Sequence, residues 1–337
     1  MKIESFSSTV DKDLFIERFT TLPKKLSHNQ TRTLSPSSYE KSFLALFPKL
    51  LKELFIVSID GIDSGRILIN KTEAREDSSF FGMLEYDISN KEILKTLLDH
   101  SEKWSKENKL SNLYGPIDIN IWFSNRFKVE GFEKNYFWEP HTPIEYYQHT
   151  KDLGYSDYKK FLSTIAPMNL KTHLIGHASI LMAKKQGWRL ERIDFKDDAL
   201  LESFYELNKS GFSRNDLYED ITLEQYQKTL YSFSKQVDSK YSYLLFDPDG
   251  KLQGYCFSIL DNDVLVLKTL VLSLSARKMY FAPALIFKSF FDGYSDGIRR
   301  FCGACIREGN TSGRFIKFFS LKNQTTNFYK LLNKKLE

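Results

Sequence analysis

Cysteine is scarce in this chain of 337 residues: Cys256, Cys302 and Cys305 are all it has. Three thiols make no disulfide framework. A structural zinc site takes four ligands, so Cys302-x-x-Cys305, with no second pair, does not read as one. His173 and His177 are four residues apart on a helical stretch, but no Glu completes a zinc-protease pattern there, and no metal is expected. Long apolar runs are missing too. Each is broken by Lys, Ser or Arg well short of the roughly 20 residues a membrane-spanning helix needs. The N-terminus, MKIESFSSTVDKDLF, mixes charge and hydroxyls where a secretory leader has an apolar stretch, so a mature cytoplasmic protein is expected. The charge excess is small, 48 Lys and Arg against 43 Asp and Glu. A net +5 does not call for nucleic acid, though it suits an anionic cofactor or an acidic carrier protein.

What the chain has in plenty is apolar and aromatic mass. Hydrophobic residues make up 42% and charged residues 27%, a globular composition. The 28 Phe and 18 Tyr bring large apolar area to cores and interfaces, and the length suits two domains. The stretch from Asp263 to Cys305 organises the second of them. Val264 to Leu272 is a β-branched and leucine run broken only by Lys268 and Thr269, as in a strand buried on both faces. A loop carrying Ser273, Ser275, Arg277 and Lys278 follows. A helix then takes Pro283 in its first turn, places Leu285, Ile286, Phe290 and Tyr294 on one side, and ends at Gly297 before a strand from Ile298 to Cys305. Hydroxyls, two cations and helix-terminal amides hold phosphates in many folds. A plain parallel crossover in a core has the same order of elements.

The first half repeats this pattern. Helical stretches are expected at Asp11–Thr20 and Ser38–Leu54, then a hairpin of Leu54–Ile59 and Gly65–Asn70 around the turn pair Asp60 and Gly61. The strand Phe80–Tyr86 comes next. Ser89 with Glu92 forms a capping-box pattern for a helix burying Ile93, Leu94, Leu97, Leu98 and Trp104, and a short strand at Leu113 and Tyr114 follows. In the second half the hairpin strands are Tyr241–Phe246 and Leu252–Leu260. The same α/β unit, with mixed sheets, thus occurs twice. A helix from about Met168 to Gln186 lies between the copies, and the boundary is expected near Gly187 and Trp188, giving halves of 1–187 and 188–337.

Several short motifs keep a family order. They are Gly65, Arg66 and Ile67; Phe80, Phe81 and Gly82; Gly115, Pro116 and Asn120; Gly131 and Phe132; Tyr146 and Tyr147; Leu153, Gly154 and Tyr155. The second half adds LKTL at residues 267 to 270 and Asn310 to Ser312. Across nearly its whole length the chain resembles the bacterial tandem proteins of the GNAT acyltransferase superfamily. The resemblance implies two tandem GNAT-like domains of the acyl-CoA N-acyltransferase fold, and an acyl thioester such as acetyl-CoA as cofactor. It also implies a pyrophosphate loop of the pattern Gln or Arg, two residues, Gly, one residue, Gly or Ala. Arg277 and Ala282 fit its ends, while Tyr280 stands where the central glycine belongs, which changes the loop. Cofactor contacts are accordingly expected from Leu270, Val271, Ser275, Arg277, Lys278, Tyr280 and Ala282. The first half offers no rival, its loop from Asp87 to Lys91 having neither glycine nor arginine.

Amide formation needs a held amine, a base and a donor for the leaving thiolate. In this fold the thioester lies between two splayed strands, which points to Lys268, Thr269, Asn310, Ser312 and Tyr329 for the chemistry. No Glu stands on the central strand, leaving Asp261, Asp263, Glu139, Glu145 or a water chain as base. Trp122, Trp138, His141, Tyr146 and Tyr147 are expected to line an acceptor cleft, or simply to glue the halves together. The expected activity is transfer of an acyl group from a coenzyme A or phosphopantetheine thioester to an amine, on a small molecule or a carrier-bound substrate. Two alternatives stand beside it: a cofactor-less binding or scaffold protein, and a transferase whose donor is an acyl carrier protein or an aminoacyl-tRNA.

Overall fold

The computed structural model describes residues 1–26, 36–133, 136, 139–168, 170–195, 198–279, 281–309 and 324–337, with the backbone alone at 170–175 and 278. In chain order the elements are β1 (Lys2–Ser5), α1 (Lys12–Leu26), α2 (Ser37–Ala45), β2 (Lys52–Ile59), β3 (Ile62–Lys71), β4 (Ser78–Tyr86), α3 (Lys91–Glu107), β5 (Asn112–Gly115), β6 (Phe127–Glu130), α4 (Ile144–Asp152) and β7 (Ser156–Pro167). There follow α5 (Leu170–Lys185), β8 (Arg189–Arg192), α6 (Leu201–Phe212), α7 (Leu223–Tyr226), a π-helical turn (Gln227–Tyr231) and α8 (Ser232–Ser234). The last are β9 (Tyr243–Phe246), β10 (Leu252–Asp261), β11 (Val264–Leu272), α9 (Leu274–Lys278), α10 (Ala282–Ser295), β12 (Arg300–Arg307) and β13 (Thr325–Lys335). The chain divides into two compact units, one of Met1–Lys160, Asp216–Glu219 and Phe328–Glu337, the other of Phe161–Asn215 and Asp220–Asn327. Gly187 and Trp188 form the turn between α5 and β8.

In the first unit the strand order is β1-β2-β3-β4-β5-β13, with β6 also on β13. Only β4 and β5 run parallel, as the crossover through α3 demands. Strand alternation splits the core in two. Phe55, Val57, Ile67 and Ile69 pack with Ile93, Leu94 and Leu97 of α3, while Leu54, Ile56 and Leu68 pack with Phe15, Phe19 and Phe43 of α1 and α2. Asp60 and Gly61, at φ 51° and 80°, make the tight turn between β2 and β3.

The second unit repeats the sequence of elements. β8 lies antiparallel beside β9 as β1 does beside β2, β9-β10-β11 follow as β2-β3-β4 do, and α10 leads to the parallel partner β12 as α3 leads to β5. Leu245, Cys256, Ala284 and Leu285 share one core cluster. Tyr255 and Phe257, alternate residues of β10, meet Phe204 and Phe195 instead. Within the second unit β7 adds to the other side of β12, pairing antiparallel with it from Phe161 to Pro167.

Local departures from expectation have local causes. α2 ends at Ala45 and not at Leu54, since Pro48 cannot continue a helix and restricts the residue before it. Asn90, one residue later than Ser89, caps α3 by accepting the Glu92 N–H at 3.1 Å, and Ser89 instead donates to Asp87. β7, α4 and α6 lie where no clean periodicity announces them. The segment after β11 is not an open loop but the short helix α9.

In the first unit a wholly buried ion pair holds β13. Lys128 Nζ of β6 donates to Glu139 Oε2 at 2.8 Å, and the Tyr329 hydroxyl of β13 donates to Glu139 Oε1. Removing one partner of such a pair strands a charge without water. Lys128→Met is therefore expected to cost about 3–5 kcal/mol in urea unfolding; a loss below about 1 kcal/mol would mean the pair does not fasten the strand.

Candidate functional site

Two strands that begin paired and then part make the opening. β11 and β12 are in parallel register from Val264↔Arg300 to Leu267↔Gly303, and there the pairing ends. β11 goes on to Leu272 on β10, while β12 goes on to Arg307 on β7. Beyond the last parallel pair β11 carries a bulge, since Phe257 and Ser258 face Thr269 and Leu267 and leave Lys268 as the extra residue. β12 has its own irregularity at the same level: Cys305 has φ 50°, and its N–H donates to the buried Ser163 hydroxyl at 3.0 Å. Exposure follows the geometry. β11 is buried through Val266, half-exposed from Leu267 to Leu270, and buried again at Val271 and Leu272.

The first unit closes the corresponding place with its own chain. β4 and β5 are paired only from Ser78↔Asn112 to Phe80↔Tyr114, and β4 has a bulge at Met83 and Leu84, opposite Ile67. Yet every residue of β4 is buried. The stretch after the cis Gly115–Pro116 bond returns onto the strand, with Ile117 N–H donating to Phe81 O at 2.7 Å and Met83 N–H donating to Asp118 Oδ1 at 2.6 Å. The fit is close enough that a Cβ on Gly82 would stand 2.2 Å from Ile117 O. Burial pushes the Asp118 carboxyl up to about 6, with Glu40 and Glu85 adding repulsion and the Met83 amide acting the other way.

The expected cofactor residues lie along and after β11. Leu270 and Val271 face Cys256 and Tyr255 on β10, and Val271 packs where a Cβ on Gly211 would stand 2.5 Å from its Cγ1. Ser273 caps α9 by accepting the Ala276 N–H, and Ser273 and Ser275 both donate to Gln253 Oε1, at 2.5 and 2.9 Å. Arg277 donates through Nε to Leu272 O at 2.9 Å and through Nη2 to Gly211 O at 3.3 Å, so the exposed guanidinium is tethered. Ala282 opens α10. Tyr280 and the side chain of Lys278 lie outside the described residues, as do Asn310, Ser312 and Trp138.

Lys268 and Thr269 stand at the opening; Tyr329 does not share their unit and is fully buried against Glu139 in the first. The proposed bases are scattered. Asp263 pairs with Arg300 at 3.2 Å, Glu139 is committed to Lys128 and Tyr329, Asp261 is half-buried near the end of β10, and Glu145 begins α4. Of the aromatic residues, Trp122, His141, Tyr146 and Tyr147 belong to the first unit. Tyr146 is a core residue whose hydroxyl donates to Glu85 at 3.0 Å. Burial, with the hydrogen bond it donates to Asp157 adding to it, pushes the Tyr147 phenol up to about 12. Trp122 lies tilted against Tyr218, ring centroids 5.7 Å apart, and donates to Glu219 O at 2.8 Å; His141 is half-buried. Nothing in residue spacing marks the bulge at Lys268 or the plug at Asp118, although Gly115-Pro116 signals that β5 must turn there. Among the described residues no group of His, Cys, Asp or Glu is placed to hold a metal, and no helix is long and apolar enough to cross a membrane.

No family model and no curated protein matches the sequence. Solved structures do resemble the fold. A tandem GNAT protein from the clavulanic acid biosynthesis pathway is 12% identical, with a TM-score of 0.57 over 100% of this chain and 99% of its own. A GCN5-related N-acetyltransferase from Anabaena variabilis ATCC 29413 is 11% identical at a TM-score of 0.55, over 100% of this chain and 73% of its own. One from Kribbella flavida is 10% identical at 0.54, over 99% and 72%. The chain has the tandem GNAT fold.

The closed first unit predicts a pH dependence. Besides Asp118, Glu219 is pushed up to about 7 by burial, though its Oε1 accepts from the Glu73 and Ala74 amides. Carboxyls raised in the folded state bind protons that the unfolded chain has already released, so stability falls as pH rises from the ordinary carboxylate range to about 7. Urea unfolding at pH 5 and pH 8 is expected to show that loss shrinking in Asp118→Asn and Glu219→Gln; an identical loss in wild type and both variants would refute it.

Proposed function

We propose that the protein is an N-acyltransferase that uses a phosphopantetheine thioester and holds it on the second unit. The opened, half-exposed stretch Leu267–Leu270 of β11 carries this reading, set against the wholly buried β4. The fold adds weight, since the similar solved structures include proteins described as N-acetyltransferases.

The residues present fit such a group along the strand. A pantetheine arm resembles an extended peptide in its amide spacing, and a strand edge freed from its neighbour offers it backbone partners. They fit a coenzyme A pyrophosphate less well. No glycine occurs between Ser273 and Gly293, and the amide of Ala276 is taken by the Ser273 hydroxyl. Arg277 and Lys278 are the groups left to meet phosphate charge. A bound thioester supplies an activated acyl carbonyl, which an amine converts to an amide with release of the thiol. The chain's own part is to hold that carbonyl beside the bulge at Lys268, where the ladder is interrupted, and to position the amine over the gap between β11 and β12. Thr269 is the hydroxyl side chain of the opening, and we assign it the leaving sulfur.

Adding S-acetyl-pantetheine or acetyl-CoA is expected to raise the melting temperature. Thr269→Arg, which fills a half-exposed position without touching the core, should weaken either ligand by about tenfold or more, that is about 1.4 kcal/mol. No thermal shift with either ligand, or undiminished affinity in the variant, would sink this assignment.

A further inference from the structure

Between Val264 and Phe287 the chain has three cations, Lys268, Arg277 and Lys278, and no acidic residue, while the next cation, Lys288, is paired with Asp292 at 2.6 Å. At the centre of this stretch α9 projects a surface of unusual make-up. Leu274, the first residue of this five-residue helix, is 57% exposed, Met279 at its C-cap is 42% exposed, and the helix contributes Ala276 to the core. Arg277 is exposed beside them, its guanidinium held by Leu272 O and Gly211 O, so its charge is fixed in place before any partner arrives. Apolar side chains left in water around a tethered cation are what a protein partner with an acidic rim would cover. A soluble coenzyme needs neither Leu274 nor Met279.

We propose that α9 is the docking surface for a small acidic carrier protein, whose phosphopantetheine arm enters the opening at Leu267–Leu270. This rests on the thioester function proposed above and names its donor. Three features agree on that donor. The charge of the stretch complements an acidic helix face, the exposed pair Leu274 and Met279 supplies the apolar contact, and α9 directly follows the strand that would receive the arm. A carrier-bound arm also has a single phosphodiester and no pyrophosphate, which suits a segment without glycine whose first turn is capped by Ser273.

The experiment uses the full chain and a recombinant bacterial acyl carrier protein loaded with an acetyl group, with S-acetyl-pantetheine as the small probe. Carrier binding is expected to weaken with added salt. The single variant Leu274→Asp should lower carrier affinity, and the double variant Leu274→Asp with Met279→Asp should lose about tenfold or more. Both substituted side chains are exposed and follow the end of β11, so the thermal shift with S-acetyl-pantetheine should persist in both proteins. Carrier affinity equal in wild type and variants, with that shift intact, overturns the docking surface and leaves the thioester function standing. Absence of any shift with S-acetyl-pantetheine overturns both. An aminoacyl-tRNA that binds wild type and is lost in the same variants, while the carrier does not bind, also overturns the proposal.

Discussion

The length of one parallel ladder governs the second unit. β11 and β12 remain neighbours only while a direct crossover through α10 keeps them in register, and after Leu267 and Gly303 each strand finds a different partner. Parallel pairs are buried as a rule; where the pair stops, backbone polar groups of both strands need other partners. The bulge at Lys268, the left-handed Cys305 and the half-exposed run to Leu270 all cluster at that point. The first unit meets the same problem by satisfying itself. Its answer is Asp118, a side chain accepting the Met83 amide, and a returning stretch seated on Gly82. One order of elements therefore yields a copy whose β4 is buried throughout and a copy whose β11 is half-exposed from Leu267 to Leu270.

Much of the architecture was written in hydrophobic period and turn chemistry. The strand Val264–Leu272 reads directly because both faces are apolar, and the Asp60-Gly61 turn locates its hairpin without help from the rest of the chain. β7 was not legible. Its sequence, SDYKKFLSTIAP, has charged and aromatic residues at positions that burial alone does not order, and its pairing comes from strands distant in sequence. The capped helix α9 was hidden for a different reason: five residues cannot display a period, and Ser273 reads as a loop hydroxyl until its acceptor role is seen. Of the candidate site, the strand and its polar pair Lys268 and Thr269 were visible as an interruption in an apolar run. The aromatic residues around Tyr146 were visible as a composition, and composition does not distinguish a ring that lines a pocket from one whose hydroxyl is spent inside a core.

The placement of β13 bears on how the polypeptide is made. Its residues from Phe328 onward complete the first unit, where β13 pairs with β5 and β6, yet they are synthesised after the whole run from Phe161 to Asn327. At a translation rate of about 5–20 residues per second, the ribosome needs roughly ten to thirty seconds for that interval. During it the nascent first unit has β5 without its neighbour, an unpaired edge of the kind that invites wrong partners. The half that is translated first therefore cannot be completed until residues from Phe328 onward have emerged.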